Sequence, residues 1–105
     1  MQETKKHISP RPAKAVPPGA TIRSELKARG ISQVMFANTI ERPVQFVSEL
    51  LNGKRELTAD TARRLEAALD IPAGFWLRYE AEYRLTKSSL DPELATRIRE
   101  KALTW

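Results

Sequence analysis

The stretch that most constrains this chain is Ile31 to Lys54, ISQVMFANTIERPVQFVSELLNGK, where two short helical patterns follow each other with almost nothing between them. Ser32 is suited to an N-cap, its hydroxyl able to accept an orphan amide N–H, and Phe36, Ala37 and Ile40 then recur on one face at helical spacing. Pro43 opens the second pattern at a first helical position, where the amide has no intrahelical partner to lose, and Val47, Leu50 and Leu51 supply the apolar stripe behind it. Asn52-Gly53 closes it, glycine being free to take a left-handed C-cap. Two helices joined by a turn of three to four residues form the helix-turn-helix unit, which lays its second helix in the DNA major groove.

Composition frames that reading. A chain of 105 residues, 41% hydrophobic and 30% charged, is one soluble globular domain with a modest core. No apolar run approaches the length that crosses a bilayer, and the basic N-terminus lacks the apolar stretch of a secretory signal, so a cytoplasmic location is expected. The absence of cysteine excludes disulfides, thiolate metal sites and thiol redox chemistry. A net charge of +5 suggests an anionic partner, and its distribution is uneven. Residues 1–20 hold four basic groups against one acid (+3), residues 21–85 ten against nine (+1), and residues 86–105 four against three (+1). Most of the surplus lies outside the motif, so if the core binds DNA it must do so through placed contacts plus help from the N-terminal arm, because a broad basic field is absent.

In chain order, residues 1–17 read as a flexible basic arm, broken by prolines at 10, 12 and 17 and lacking hydrophobic spacing. The arm is either a solvated tail or a basic strand that reaches phosphates or the minor groove. Its His7 has no neighbours at ligand spacing, so no metal site is expected. Residues 18–85 read as the DNA-binding domain. A first helix covers Ala20 to Arg29, with Ile22 and Leu26 one turn apart and Gly30 as C-cap. After the motif, Thr58 caps a fourth helix with Asp60 in its first turn and Ala62, Leu65, Ala68 and Leu69 as its stripe. A fifth follows Ile71-Pro72 and runs to about Leu85, carrying Phe75, Trp76, Tyr79 and Tyr83 as core aromatics, with stacking on unpaired bases as the other role open to them. Residues 86–105 read as a helical extension started by Asp91-Pro92-Glu93. Its stripe of Leu94, Ile98 and Ala102, extended by Leu90 and Trp105, either covers a gap in the core or forms a partner surface. The class is thus all-α, a five-helix bundle with an additional C-terminal helix.

Ser32-Gln33, Ala37, Val47-Ser48 and Leu50-Leu51-Asn52-Gly53-Lys54-Arg55 resemble the Xre-type, lambda-repressor-like helix-turn-helix family. Pro18-Gly19, LTADTARRLEAAL and IPAGFWLRYEAEYRL resemble more narrowly the HigA-type antitoxins, over about residues 18–85. The resemblance implies a homodimer that binds a palindromic operator in double-stranded DNA, represses its own operon and neutralises a HigB-type toxin, a ribonuclease that cleaves messenger RNA. Two alternatives stand beside it: a stand-alone repressor without a toxin partner, and a protein-interaction module that has lost DNA binding. The same signature precedes a zinc protease domain in longer regulators. That branch fails, because no His-Glu-x-x-His occurs and the only histidine is His7. No nucleophile is paired with a base, so neither an enzyme nor a cofactor is expected. The chain departs from the family in the turn, where Glu41 stands at the usual glycine and Arg42 at an apolar position.

Side-chain projection identifies the expected contacts. With Val47, Leu50 and Leu51 turned inward, Val44, Gln45, Ser48 and Glu49 face outward as base readers. A glutamine amide bonds adenine N6 and N7 together, a valine touches a thymine methyl, and a glutamate accepts from cytosine N4 or merely repels phosphate. Gln33, Arg42, Lys54 and Arg55 flank that helix and are expected on phosphates, setting register.

Overall fold

The structure, a computed structural model, describes residues 16–105. Six helices and no strand occur among the described residues: α1 (Pro18–Arg29), α2 (Gln33–Ile40), α3 (Val44–Leu51), α4 (Ala59–Leu69), α5 (Ala73–Lys87) and α6 (Pro92–Ala102). The all-α architecture with an extra C-terminal helix is therefore as expected. The proposed arm lies outside the described residues except for Val16 and Pro17, and so does His7.

Side-chain caps start three of these six helices. Ser32 accepts the Met35 amide at 3.1 Å, Thr58 that of Thr61 at 3.3 Å, and Asp91 that of Leu94 at 3.1 Å. Each satisfies one of the orphan donors at a helix N-terminus. Two boundaries differ from expectation. α1 begins at Pro18 rather than Ala20, because proline is tolerated at the first position and Gly19 is already packed against α3. Pro43 is extended (φ −61°, ψ 150°) and precedes the first helical residue, Val44, so it acts as the N-cap and its carbonyl accepts from Val47.

The core gathers one stripe from each of the first five helices. α1 packs on α3 and α5, α2 on α3 and α4, and α4 on α5. Ile22, Phe36, Val47, Leu65 and Trp76 are sealed from solvent, with Leu57 closing the loop between α3 and α4. The expected aromatic core divides. Trp76 and Tyr83 are buried, Tyr79 is half-buried and bonds Thr21 of α1, but Phe75 is 39% and Leu77 37% exposed. α5 buries one face only, and those two side chains flank it. No residue of α6 is buried, which overturns the reading in which its stripe fills a gap in the core. Ile98 is 50% exposed and Trp105 fully so.

The turn between α2 and α3 keeps the backbone geometry that glycine normally supplies. Glu41 is left-handed (φ 58°, ψ 51°), and the amides of Glu41 and Arg42 bond the carbonyls of Asn38 and Ala37. Gly30 ends α1 in the same way, at φ 69° with its own amide and that of Ile31 bonded to Lys27 and Leu26. The departure at Glu41 thus leaves the turn unaltered and stores strain in it, on the order of 1–2 kcal/mol for a residue with a Cβ. Glu41→Gly should accordingly raise the unfolding free energy by about 0.5–1 kcal/mol, part of the relief being lost to the freer unfolded chain. Urea unfolding measures it. A destabilised variant would show that the glutamate side chain outweighs its strain.

Candidate nucleic-acid interface

α3 is anchored from behind and open in front. Val47, Leu50 and Leu51 are at most 3% exposed, and Arg23 of α1 reaches over to bond Asn52 at 2.8 Å, fixing the end of the helix. Gly53 follows at φ 73°, and the amides of Gly53 and Lys54 bond the carbonyls of Leu50 and Glu49. This is the expected glycine stop, placed one residue after the cap at Asn52. Pro17 sits against Gly53, so the chain enters the fold beside the loop after α3, next to Lys54.

The four expected base readers share the outward face. Val44 is 43% exposed, Gln45 is exposed, and Ser48 and Glu49 are half-buried. Of the residues expected on phosphates, Gln33 is half-buried in the first turn of α2 and Lys54 is exposed. The two arginines are engaged within the protein. Arg55 donates to Glu49 Oε1 through Nη2 at 2.8 Å and Nε at 3.2 Å, while Gln45 Nε2 donates to Glu49 Oε2 at 3.3 Å. These bonds, Arg55 first and Gln45 second, hold the Glu49 carboxyl below the usual carboxylate range, so it is ionised at neutral pH. Arg42 donates to Asp60 at 2.9 Å.

Asp60 joins the turn to α4. It also accepts from Arg64 at 2.8 Å, and Arg64 in turn donates to the Ile40 carbonyl at the end of α2 at 2.6 Å. Arg64 and then Arg42 hold the Asp60 carboxyl low and charged. A cation bonded to a helix C-terminal carbonyl is favourable on both hydrogen-bond and dipole grounds. The turn that leads into α3 is therefore tied to α4, while α3 itself packs on α1 and α2.

Phe46, not among the expected contacts, takes part from the edge of α3 rather than from its outward face. Half-buried against the core, it lies beneath Arg55 at 4.4 Å and Arg42 at 5.6 Å, measured from guanidinium to ring centroid. Cations over an aromatic face are held in place by the ring quadrupole. The signal was present in the sequence as an aromatic residue at the edge of the α3 stripe, between two arginines.

Among the described residues no group of acidic or histidine side chains is arranged to hold a metal ion, and no helix is long and apolar enough to cross a membrane. The arrangement is a surface with a ridge of hydrogen-bonding side chains and flanking cations, a form suited to reading a groove.

Comparison with known proteins agrees. Residues 22–76 match the helix-turn-helix family. The chain is 32% identical over 83 residues to virulence-associated protein A′ of Dichelobacter nodosus, covering 78% of this chain and 70% of that protein. It is similar in structure to the Pseudomonas aeruginosa antitoxin HigA solved with the higBA promoter, at a TM-score of 0.67 and 29% identity over 70% of this chain and 82% of the other. It also resembles an addiction-module antidote protein of the HigA family from Coxiella burnetii, at a TM-score of 0.68 and 28% identity over 84% and 94% of the two chains. Family models of this kind describe DNA-binding domains rather than enzymes, and by motif, architecture and sequence the chain belongs to the Xre-type helix-turn-helix family.

Proposed function

We propose that this protein is a sequence-specific DNA-binding antitoxin that represses its own operon and neutralises a HigB-type, mRNA-cleaving toxin. The observation that carries the DNA-binding half is the outward face of α3, where Val44, Gln45, Ser48 and Glu49 stand on a helix whose opposite face is locked into the core. The similarity to an antitoxin solved with promoter DNA supports it. Residues 21–85 carry ten basic against nine acidic groups, so one copy has little non-specific attraction. Two copies on a palindrome, with α3 helices in major grooves about 34 Å apart, provide the affinity that one lacks. The surplus of basic groups in residues 1–20 adds attraction for the anionic backbone. Such a protein works in the cytoplasm. The unburied apolar side chains of α6 offer a surface for the second copy or for the toxin.

Gln45→Ala should weaken binding to the operator by roughly 1–3 kcal/mol and relax discrimination at one base pair, whereas Lys54→Ala should weaken binding to all duplexes alike. Titration with operator and scrambled duplexes at two salt concentrations separates the two roles. Equal losses for Gln45→Ala on both duplexes would remove it from base reading. Toxin neutralisation is tested by co-expression with the product of the adjacent gene, where growth rescue and co-purification are expected. Repression without either would leave a stand-alone repressor.

A further inference from the structure

We infer that Glu49 is the specificity-determining residue of this interface by exchange of partners: it withholds Arg55 from the DNA backbone and releases it only where a base offers an N–H donor in its place. The inference rests on the DNA-binding reading above and adds to it a coupling between base recognition and phosphate contact.

The geometry is that of a preloaded exchange. Both oxygens of Glu49 are occupied, Oε1 by two donors of Arg55 and Oε2 by Gln45. The Arg55 and Glu49 side chains are 43% and 33% exposed, so water screens their attraction and the pair opens readily. Phe46 holds the Arg55 guanidinium at 4.4 Å, keeping it on the flank of α3 whether or not Glu49 grips it. A phosphate that approaches this flank is a strong competitor for an arginine, because it too can accept two parallel hydrogen bonds.

What opposes the transfer is the carboxylate left behind. Without Arg55, Glu49 keeps a single neutral partner, Gln45, while it is pressed toward a groove lined by phosphates and stripped of water. An ionised acceptor desolvated without donors is strongly disfavoured. Cytosine N4 and adenine N6 each present an N–H donor in the major groove, whereas guanine presents acceptors at N7 and O6 and thymine an acceptor at O4. Over a donor base Glu49 regains a partner and Arg55 moves to the phosphate. Over an acceptor base Arg55 stays where it is, and the complex lacks one backbone contact as well as one base contact. The residue therefore penalises wrong sequences twice, and it lowers non-specific affinity below what the count of cations implies.

The test uses the full chain, a duplex selected from a random pool by the wild-type protein, and a scrambled duplex of the same composition, at about 50 and about 200 mM salt. Glu49→Gln is expected to tighten binding to the scrambled duplex about ten-fold and to steepen the log–log salt dependence by about 0.9 per bound subunit, the signature of one more neutralised phosphate. The selected duplex should gain much less, so the ratio between the two falls. In Glu49→Gln/Arg55→Ala the scrambled affinity and slope should return to those of Arg55→Ala alone. Unchanged scrambled binding in Glu49→Gln overturns the inference. So does a gain that persists without Arg55, since it then reflects only the lost negative charge. A wild-type chain that selects no duplex and shows no salt-dependent binding refutes the DNA-binding reading itself, which separates the two failures. Both side chains lie on the surface, and matching melting curves check that the variants are folded.

Discussion

Trp76→Ala is expected to lower the unfolding free energy by about 3–5 kcal/mol, the largest effect of any single truncation in this chain. Trp76 is completely buried and heads the largest sealed side chains; its ring meets Phe75 edge-on at 5.1 Å. Removing it opens a cavity where α5 meets the core, and the close-packed helices relax into such a space only partly. Domains of this size have about 5–15 kcal/mol in total, so much of the population would unfold on mild warming. The indole nitrogen adds a second expectation, because Nε1 is buried with no hydrogen-bond partner among the described residues. Trp76→Phe removes that unsatisfied donor along with some volume, and the two effects oppose each other. It should therefore lose much less than the alanine variant, about 1–2 kcal/mol. Urea unfolding at constant m-value gives both numbers. Similar losses for phenylalanine and alanine would mean that the nitrogen has a partner.

The second large effect is expected at Gly19, where even one methyl group is too much. A Cβ built there lies 2.3 Å from the Leu50 carbonyl oxygen, 2.5 Å from that of Leu51 and 2.7 Å from the Leu51 carbonyl carbon. All three are backbone atoms at the end of α3, so no side chain can swing aside and α1 must move away from the motif. Gly19→Ala should destabilise by about 2–3 kcal/mol, in spite of the better helix propensity of alanine. Molecules that still fold would carry α3 at an altered angle, and operator affinity should fall further than scrambled affinity. Gly74 is the matched control. A Cβ there meets nothing within 4 Å, so Gly74→Ala in the first turn of α5 should stabilise by a few tenths to 1 kcal/mol. If both alanine variants shift stability in the same direction, the close approach at Gly19 is not the controlling feature.

Much of the architecture was legible because it rests on short-range chemistry. Ser32, Thr58 and Asp91 cap helices with their own side chains, and each stripe from Ile22 and Leu26 to Leu65 and Leu69 is readable as a repeat of one helical turn. The outward face of α3 followed from the same arithmetic. Less legible was which of several apolar residues on a helix is covered. α5 has aromatics at Phe75, Trp76, Tyr79 and Tyr83, and only the direction from which α1 and α4 approach decides that Trp76 is sealed and Phe75 open. The α6 stripe makes the same point, since its spacing is that of a packed helix while none of its residues is buried.

The sequence by itself determined the helix starts, the glycine stops at Gly30 and Gly53, the apolar faces and the position of α3 with its outward face, all of them settled within a turn or two of chain. Tertiary structure decided where the arginines around the motif went, whereas pairs such as Arg29–Glu25 and Arg84–Glu80 form within one helix at i,i+4 spacing. Arg42, expected beside the DNA backbone, reaches Asp60 eighteen positions further on; Arg64 reaches twenty-four positions back to the Ile40 carbonyl; and Arg55 folds back over Phe46 onto Glu49. Apolar periodicity is read locally because burial acts on a whole helix face. An arginine on a long flexible stem takes the best acceptor within reach, and which acceptors are within reach is known only once α4 has crossed behind the turn.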